Sequence, residues 1–318
     1  MRRRHERGVA LLVAIVIFAI ATTVAAAVTY SKAMAARRAA ATFTMEQALQ
    51  AGMAAEALAS IALEDAGSEP KTETTQDWAQ DQPPMEIPDT GVWIVAKVED
   101  MSGRFNLNSV IKWDSQQDTF VEDRHQLAVF RTILANLDID QRYADLLVDW
   151  IDPNIAPFGT SGGEDSLYLS QVPPYRPPNT FITHTSELLA LPGFGRENYK
   201  KIAPYVTALP ADEPLNVCTA SGLVLDAALN QNTTQYANQD MALNREKGCW
   251  PEERDYTVVI ADPTQKTEVE QRVDEKSSWF RLRTQVRIGT AEFVLYSVLF
   301  REPNGNKIRT VQRSFGSE

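Results

Sequence analysis

An uninterrupted apolar run lies near the start of the chain. Residues 9–30 contain no charged side chain, and about 20 apolar residues are enough for a helix to cross the hydrocarbon core of a bilayer. The run therefore predicts a transmembrane helix over residues 9–30. Residues 31–66 stay rich in alanine and place apolar side chains at helical spacing, so we expect the same helix to continue to residue 66.

The segment in front of the apolar run is basic. Residues 1–8 include four arginines and end at Gly8, and fewer basic residues follow the run closely. This excess of positive charge predicts a cytoplasmic N-terminus, with the rest of the chain across the membrane. Two kinds of processing fit the pattern. Cleavage after the small residues near 25–27 would remove the helix, whereas cleavage after Gly8 would leave Val9 as the first residue of a retained helix.

Beyond the helix the pattern changes to strands. Residues 67–90 lose periodicity and are rich in proline and acidic residues, which predicts a linker. Residues 91–109 begin with the alternating segment GVWIVAKVE and continue into RFNLN, which predicts two strands. The strongest strand signals come last, because Trp279–Ile288, Ala291–Arg301 and Lys307–Phe315 are separated by short turn segments. They predict an antiparallel meander.

A helical stretch separates these two groups of strands. Residues 126–137 and 141–151 place apolar side chains at the spacing of amphipathic helices, and we expect a helical domain over residues 110–210. The predicted fold class is α+β. A long N-terminal helix, transmembrane at its start, packs on an antiparallel sheet formed by residues 91–109 and 211–318, and a large α-helical domain is inserted between the two parts.

Charge and cysteine content narrow the function classes. The chain of 318 residues has a formal net charge of -11, and such an acidic balance disfavours nucleic acid as a partner. Cys218 and Cys249 are the only cysteines. In an oxidising compartment two thiols most simply form a disulfide, and the alternative is two buried free thiols. Metal ligation is disfavoured because no histidine lies near either cysteine.

Several carboxylates surround a glycine-containing loop. Asp152 closes the segment DWID, and Glu164 and Asp165 follow two glycines. Calcium binds about 6 to 8 oxygen ligands, so this loop predicts a calcium site with Asp152, Glu164 and Asp165 as ligands. We assign Asp149 to the helix end or to a supporting position behind the ligands. The alternative is a solvated acidic loop, since the spacing does not match an EF-hand.

Two rival functions deserve a test. The turn LPGFG at residues 191–195, with Lys200 and Lys201 behind it, resembles a helix-hairpin-helix that holds a phosphate through backbone amides. If the turn binds phosphate in this way, the chain is a membrane-anchored nucleic-acid-binding protein of the helix-hairpin-helix type. The acidic loop also allows a hydrolase, but the three histidines stand beside no nucleophile motif. The preferred interpretations are a tight packing turn and an acidic loop that is solvated or binds a cation.

Taken in order, these segments resemble a known family. The Arg7-Gly8 pair and the apolar run resemble the start of type IV pilin-like precursors. The further motifs are FNLN, LVDWID, GGEDSLY, YRPPN, SELLALPGFG, YVTALP and LNVCTAS, which begin at residues 105, 147, 162, 175, 186, 205 and 215. In this order they closely resemble the general secretion pathway protein K family, the large minor pseudopilins of type II secretion.

The resemblance implies a pilin-like body and a structural role instead of an enzymatic one. It implies a subunit at the tip of the type II secretion pseudopilus, which initiates assembly for the export of folded proteins across the outer membrane. The implied partners are minor pseudopilins I, J and H, prepilin peptidase, the secretin and secreted substrates, with no nucleic acid. The implied location is the inner membrane, crossed once, with a periplasmic C-terminal domain.

The resemblance also assigns roles to single residues. Gly8 and Val9 match the prepilin peptidase site, and N-methylation is expected on Val9. Asp152, Glu164 and Asp165 match the acidic loop that suggests calcium.

Two positions depart from the family pattern. Val13 stands where pilin-like proteins have a glutamate that pairs with the amine of a neighbouring subunit. A carboxylate without a partner is costly in hydrocarbon, so valine suits a subunit with no neighbour ahead of it. Cys218 stands where an asparagine is expected in the segment LNVCTAS, and this favours its pairing with Cys249.

Overall fold

The computed structural model describes residues 6–116, 118–229, 234–304 and 306–316. Its α-helices are α1 (Glu6–Ala66), α2 (Arg124–Asn136), α3 (Arg142–Ile151), α4 (Asp165–Leu169), α5 (Gly195–Ile202), α6 (Gly222–Ala228), α7 (Met241–Asn244), α8 (Glu253–Val258) and α9 (Pro263–Glu270). Its strands are β1 (Met85–Ile87), β2 (Val92–Asp100), β3 (Phe105–Asn106), β4 (Ile111–Asp114), β5 (Thr119–Glu122), β6 (Val206–Thr207), β7 (Leu215–Asn216), β8 (Val273–Asp274), β9 (Trp279–Ile288), β10 (Ala291–Arg301) and β11 (Ile308–Phe315). The first five residues of the predicted leader lie outside the described residues.

A five-stranded antiparallel sheet packs against the second half of α1. The strand order is β1-β2-β9-β10-β11. Ala48, Ala51 and Ala55 of the helix pack on Val92 and Val286 of the sheet, and small side chains let the two backbones approach closely. At Gly52 an added Cβ would lie 2.9 Å from Leu295, so this contact leaves no space for a side chain. The predicted α+β class with a long helix on an antiparallel sheet is confirmed.

A second hydrophobic core lies in the chain between β2 and β9. It gathers Phe130, Ile133 and Leu134 of α2 with Leu147 and Ile151 of α3. The helix pattern predicted for residues 126–137 and 141–151 corresponds to these two helices, whose apolar faces meet in this core. This core includes side chains as late in the chain as residue 273.

The insertion has wider edges than the sequence predicted. The chain leaves the sheet at Asp100 and returns at Trp279, where the Met101 amide donates to the Trp279 carbonyl at 2.9 Å. Residues 211–278, which we assigned to the sheet domain, pack their apolar side chains into the insertion core. Phe105–Asn106, predicted to extend the sheet, instead pairs in parallel with Val206–Thr207. The ends of the insertion therefore meet at one point of the sheet.

A buried carboxylate fastens the helix to the sheet. Glu56 of α1 is only 6 % exposed, and its two oxygens accept hydrogen bonds from Arg313, Ser297 and Thr310 at 2.7 to 2.9 Å. Burial alone would raise the pKa of Glu56, but the hydrogen bonds from Arg313, Ser297 and Thr310 outweigh it and hold the pKa below its usual value. The ionised form is thus the one that the folded protein stabilises.

We expect Glu56→Gln to lower the free energy of unfolding by about 2 kcal/mol at pH 7, because it loses charge-assisted hydrogen bonds. A carboxyl with a lowered folded pKa contributes stability above its unfolded pKa of about 4.3, and that contribution is lost as pH falls through the folded pKa. Urea unfolding at pH 7 and at pH 3 measures both effects. The difference between wild type and variant should shrink at pH 3, and an equal difference at both pH values would contradict the lowered pKa.

Candidate functional site

Three buried carboxylates converge where α3 gives way to a loop. Asp149 lies in the last turn of α3, Asp152 follows its end, and Glu164 directly precedes α4. Their exposed fractions are 0 %, 4 % and 6 %. One oxygen of each carboxylate lies within 4.8 Å of the others. We call Asp149, Asp152 and Glu164 the acidic cluster.

Asp149 supports the loop as well as contributing charge. Its carboxylate accepts hydrogen bonds from the amides of Phe158 at 2.8 Å and Gly163 at 2.6 Å. At Gly162 an added Cβ would lie 2.3 Å from Asp149 Oδ2, so the backbone approaches the carboxylate too closely for any side chain. Gly162 is therefore needed for the chain to pass this close to Asp149.

The other two carboxylates of the cluster are incompletely paired. Asp152 Oδ2 accepts from the Asn154 side-chain amide at 2.9 Å, whereas Asp152 Oδ1 and Glu164 Oε1 are buried without a hydrogen-bond partner among the described residues. The Tyr168 hydroxyl and Asn179 Oδ1 share this condition. Buried polar atoms are nearly always satisfied in folded proteins, so four such oxygens within one loop system indicate a missing partner.

The raised pKa values of the three carboxylates also indicate that a positively charged partner is missing. Burial, and then the charge of Asp149, raises the pKa of Asp152 to about 6. Burial, followed by the charges of Asp149 and Asp152, raises the pKa of Glu164 to about 7. Burial also raises the pKa of Asp149, although the Phe158 and Gly163 amides oppose it. A bound cation would reverse this penalty, because it favours the ionised form of every neighbouring carboxylate.

The donor set suits a hard divalent cation. Calcium takes carboxylate and carbonyl oxygens with flexible geometry, and all the unpaired acceptors at this place are oxygens. Within the described residues, the other grouping of candidate ligands joins Cys218, Cys249 and Glu275. Those two sulfur atoms are bonded to each other in a disulfide, so they are not thiolate ligands. The residues of the acidic cluster therefore fit calcium.

Asp165, the third ligand expected from the sequence, lies apart from this cluster. Its carboxylate pairs with Arg176 at 2.8 Å, and the Asp165 side chain is 49 % exposed. The grouping of carboxylates at this place joins Asp149, Asp152 and Glu164 without it. Asp149, which the sequence analysis assigned to a supporting position, takes its place. The signal for Asp149 was its spacing, because residues three apart on a helix share one face.

The glycine turn that suggested nucleic acid is a packing turn. Phe194 is 2 % exposed and belongs to the insertion core, and Gly193 and Gly195 have φ angles of 81° and 73°. These left-handed conformations favour glycine. Lys200 pairs with Glu197 at 3.0 Å and Lys201 donates to the Leu137 carbonyl at 3.3 Å. The geometry gives no support to phosphate binding at this turn.

The histidines serve structural contacts. His125 is buried, and its Nδ1 lies 3.4 Å from a Glu268 carboxylate oxygen. His184 caps the short 3-10 helix Thr185–Ala190 through its ring nitrogen. Neither of these two histidines of the described chain belongs to the acidic cluster, so no described histidine completes a hydrolytic triad there.

At the other end of the molecule, α1 carries the apolar run. Every side chain over residues 9–30 is exposed, and among the described helices this one alone is long and apolar enough to cross a membrane. Apolar side chains left uncovered over such a length match a lipid environment. The helix is thus both the membrane segment and the support of the sheet.

Comparisons with known proteins agree with this architecture. A family model described as "Type II secretion system (T2SS), protein K" matches residues 103–211. The type II secretion system protein K of Pseudomonas aeruginosa is 32 % identical over 326 residues, which cover 99 % of this chain and 94 % of that protein. The protein of the same name from Pectobacterium carotovorum is 30 % identical over 325 residues, covering 99 % and 98 % of the two chains.

A solved structure shares the fold. One chain of the GspK-GspI-GspJ complex of the type 2 secretion system from enterotoxigenic Escherichia coli superposes with a TM-score of 0.76. The match covers 88 % of this chain and 100 % of that chain at 21 % identity. At that identity the likeness establishes the common fold.

Proposed function

The chain belongs to the type II secretion system protein K family and is a minor pseudopilin, and we propose that it forms the tip of the pseudopilus and initiates its assembly. The observation that carries the proposal is sequence relatedness over 99 % of the chain at 32 % identity. The apolar helix anchors the protein in a membrane, which we propose is the inner membrane, with the body in the periplasm. The role is structural and not catalytic.

The shape of the molecule supports a terminal position. The insertion of residues 101–278 adds a second hydrophobic core beside the sheet. Such a volume obstructs the addition of further subunits above it. Val13 points the same way, since a valine in the apolar run needs no charged partner from a subunit ahead.

The proposed partners are minor pseudopilins I and J, with H below them. The structure that shares this fold at 21 % identity is a complex of GspK with GspI and GspJ. We also propose contacts with prepilin peptidase, the secretin and secreted substrates. Prepilin peptidase would cut between Gly8 and Val9, and Val9 would then be N-methylated.

Light scattering of the detergent-solubilised full chain, mixed with pseudopilins I and J, tests the partner proposal. A single species with the mass of one copy of each is expected. The chain mixed with a major pseudopilin is the control and should give no defined complex. The measurement is made at concentrations where pseudopilins I and J pair with each other. If this chain then stays separate from them, the tip complex is rejected.

Calcium is the proposed cofactor of the insertion. Asp152 and Glu164 would supply unpaired carboxylate oxygens to the ion, and Asp149 would add charge while it holds the loop. The ion would neutralise three buried carboxylates that otherwise repel one another. It would thereby fix the loop of residues 152–164 to the end of α3.

We predict opposite effects of Asp152→Asn with Glu164→Gln in the absence and presence of calcium. Without calcium the double variant should melt at a higher temperature than wild type, because it relieves buried repulsion. With calcium at about 100 times its Kd, wild type should gain about 2.7 kcal/mol and the variant nothing. Calorimetry of the full chain with chelator and with calcium measures both effects.

Asp165→Asn is the matched control, since it removes one carboxylate of the same loop that pairs with Arg176. It should keep the full calcium-dependent gain. Loss of the gain in Asp165→Asn, with the gain retained in the double variant, would overturn the assignment of the ligands. Equal melting of wild type with chelator and with calcium would remove the site altogether.

A further inference from the structure

A row of arginines lies on the face of the sheet that α1 does not cover. Along β9, alternate side chains point toward the helix and are fully buried, namely Phe280, Leu282, Thr284 and Val286. Arg281, Arg283 and Arg287 occupy the opposite face. Same-face neighbours on a strand are about 6.6 Å apart, so the row extends over about 20 Å. We call Arg281, Arg283 and Arg287 the arginine face.

Two of these guanidinium groups have no acidic partner among the residues that the structure describes. Arg283 Nε lies 3.4 Å from the Tyr296 hydroxyl, and the Arg287 guanidinium carbon lies 6.0 Å from the centre of the Trp93 ring. In the described part of the chain, no carboxylate pairs with Arg283 or Arg287. Arg281 differs, because Glu99 accepts from it. In the strand register Glu292 lies opposite Arg287 and Lys97 lies beside Arg283, so the arginine face stays positive on a chain whose net charge is -11.

The arginine face continues into a cleft between the sheet and the insertion. Trp279, Arg281 and Tyr296 form part of its wall, and Trp113 and Phe120 face them from the insertion. The cleft has a volume of about 1310 Å³, above the roughly 300 to 1,000 Å³ that is usual for small-molecule sites. Tryptophan, tyrosine and arginine are also the residues that dominate binding energy at protein interfaces. The space and the composition fit a polypeptide segment.

We propose that the arginine face and the adjoining cleft bind an extended acidic segment of another protein. An extended chain repeats its side-chain direction every second residue, so carboxylates at alternate positions would meet the arginines in register. An apolar side chain at one end of the segment would enter the cleft beside Trp279. The positive charge of the arginine face favours an acidic partner. The spacing of the arginines at alternate residues of β9 favours a partner in an extended conformation.

The position of the sheet favours a protein over a membrane surface. The helix rises about 1.5 Å per residue, so the stretch from Tyr30 to Ala48, the first buried alanine under the sheet, measures roughly 27 Å. The field of anionic lipids decays within a Debye length of about 8 Å. The arginine face thus lies beyond the reach of lipid headgroups. This inference does not depend on the tip position proposed above.

Fluorescence anisotropy with the detergent-solubilised full chain tests the proposal. The probe is a fluorescein-labelled peptide of about eight residues, the length that spans the arginine face, in which glutamate alternates with threonine and tryptophan stands at one end. The same peptide with lysine in place of glutamate is the charge control. Saturable binding of the glutamate peptide, weakened by added salt, is expected, with no binding of the lysine peptide.

Variants locate the binding. Arg283→Glu with Arg287→Glu should weaken the glutamate peptide by about tenfold or more, because like charges then face each other. Arg124→Glu with Arg196→Glu makes the same change of net charge at two exposed arginines of the insertion and should leave the affinity unchanged. Arg283→Gln with Arg287→Gln should give an intermediate loss, and melting curves should show all three variants folded.

Three outcomes would overturn the proposal. In the first, wild type and the Arg283→Glu with Arg287→Glu variant bind the glutamate peptide with equal affinity. In the second, wild type shows no saturable binding of that peptide. The third comes from phosphatidylglycerol vesicles and a DNA duplex measured beside the peptide. Tighter binding of either one by wild type, lost in the arginine-face variant, would assign the surface to lipid or nucleic acid instead.

Discussion

Gly8→Leu is expected to abolish cleavage of the leader and leave the whole population as precursor. The proposed peptidase would cut between Gly8 and Val9, where the absence of a side chain at Gly8 would leave the scissile backbone accessible. A leucine at this position fills that space. The apolar run that follows is unchanged, so the variant should still insert into the membrane with the same orientation.

We expect the uncut leader to prevent assembly as well. Four arginines, Arg2, Arg3, Arg4 and Arg7, stay attached to the apolar helix. A pseudopilin that leaves the bilayer for a filament draws its N-terminus through the hydrocarbon core, where each arginine costs at least about 2.5 kcal/mol. Cleavage of the leader removes this energetic barrier. The uncleaved precursor keeps the barrier and should therefore stay in the membrane.

The intact mass of the purified protein measures cleavage. Wild type should begin at Val9, with the added mass of one methyl group, whereas Gly8→Leu should begin at Met1. Ala10→Leu is the matched control, since it adds the same side chain two residues further on and should be processed normally. A Gly8→Leu protein that begins at Val9 would show that the peptidase does not recognise Gly8.

The long elements of the fold could be predicted because their patterns are local. Trp279–Ile288 and Ala291–Arg301 alternate between the two faces of the sheet, and the structure gives these strands the same bounds. The apolar run of α1 is equally plain, because about 20 uncharged residues in succession match the length of a helix that crosses a bilayer. Such elements carry their own periodicity over ten residues or more.

The edges of the insertion could not be predicted in the same way. Residues 211–278 form short helices such as α7 (Met241–Asn244) and α8 (Glu253–Val258), which are too brief for a clear period. Their attachment is tertiary, because Tyr236 and Tyr256 pack into the same core as α2. These residues were assigned to the sheet domain because they directly precede the final strands. Their long-range packing places them in the insertion instead.

The same limit applies to the acidic cluster. Asp152 and Glu164 followed from the composition of the loop, and the structure brings them together. The choice between Asp149 and Asp165 depends on where α3 ends and α4 begins. Shifting a helix start by one residue turns a side chain by about 100°, which follows from 3.6 residues per turn. Sequence alone locates helix ends less finely than that.

The disulfide region shows how the insertion core is closed. Cys218 and Cys249 are bonded, and Arg245 beside them is 5 % exposed. Its guanidinium donates to the carbonyls of Val217, Ala220 and Trp250 at 2.7 to 2.9 Å. Burial lowers the pKa of Arg245 to about 10, so the group stays charged at neutral pH. The cation thus binds together two loops that the sulfur bridge also joins.

A second buried arginine joins the sheet to the insertion. Arg301 is 7 % exposed and donates to the Leu63 carbonyl at 2.8 Å, the Thr72 hydroxyl at 3.2 Å and the Ser277 carbonyl at 3.1 Å. Its guanidinium carbon lies 4.8 Å from the centre of the Phe280 ring. One side chain therefore connects the end of α1, the linker and the segment that leads back into the sheet.

Arg301→Met should lower the free energy of unfolding by about 2 to 6 kcal/mol, because the guanidinium is the buried donor to the Leu63 and Ser277 carbonyls. Methionine fills a similar length but leaves the Leu63 and Ser277 carbonyls buried without donors, and each such group costs about 1 to 3 kcal/mol. Urea unfolding followed by tryptophan fluorescence measures the loss. Arg309→Met, at an exposed arginine of β11, should change stability by less than about 0.5 kcal/mol.

Arg301→Lys separates charge from geometry. Lysine keeps the positive charge, but its single ammonium cannot reach acceptors on both sides as the planar guanidinium does. We expect it to recover less than half of the loss in Arg301→Met. Full recovery by lysine would show that charge alone matters at this junction. Leu63, Thr72 and Ser277 come from three separate segments. If Arg301→Lys loses nearly as much stability as Arg301→Met, the planar guanidinium geometry, and not the charge alone, holds the insertion in place against α1.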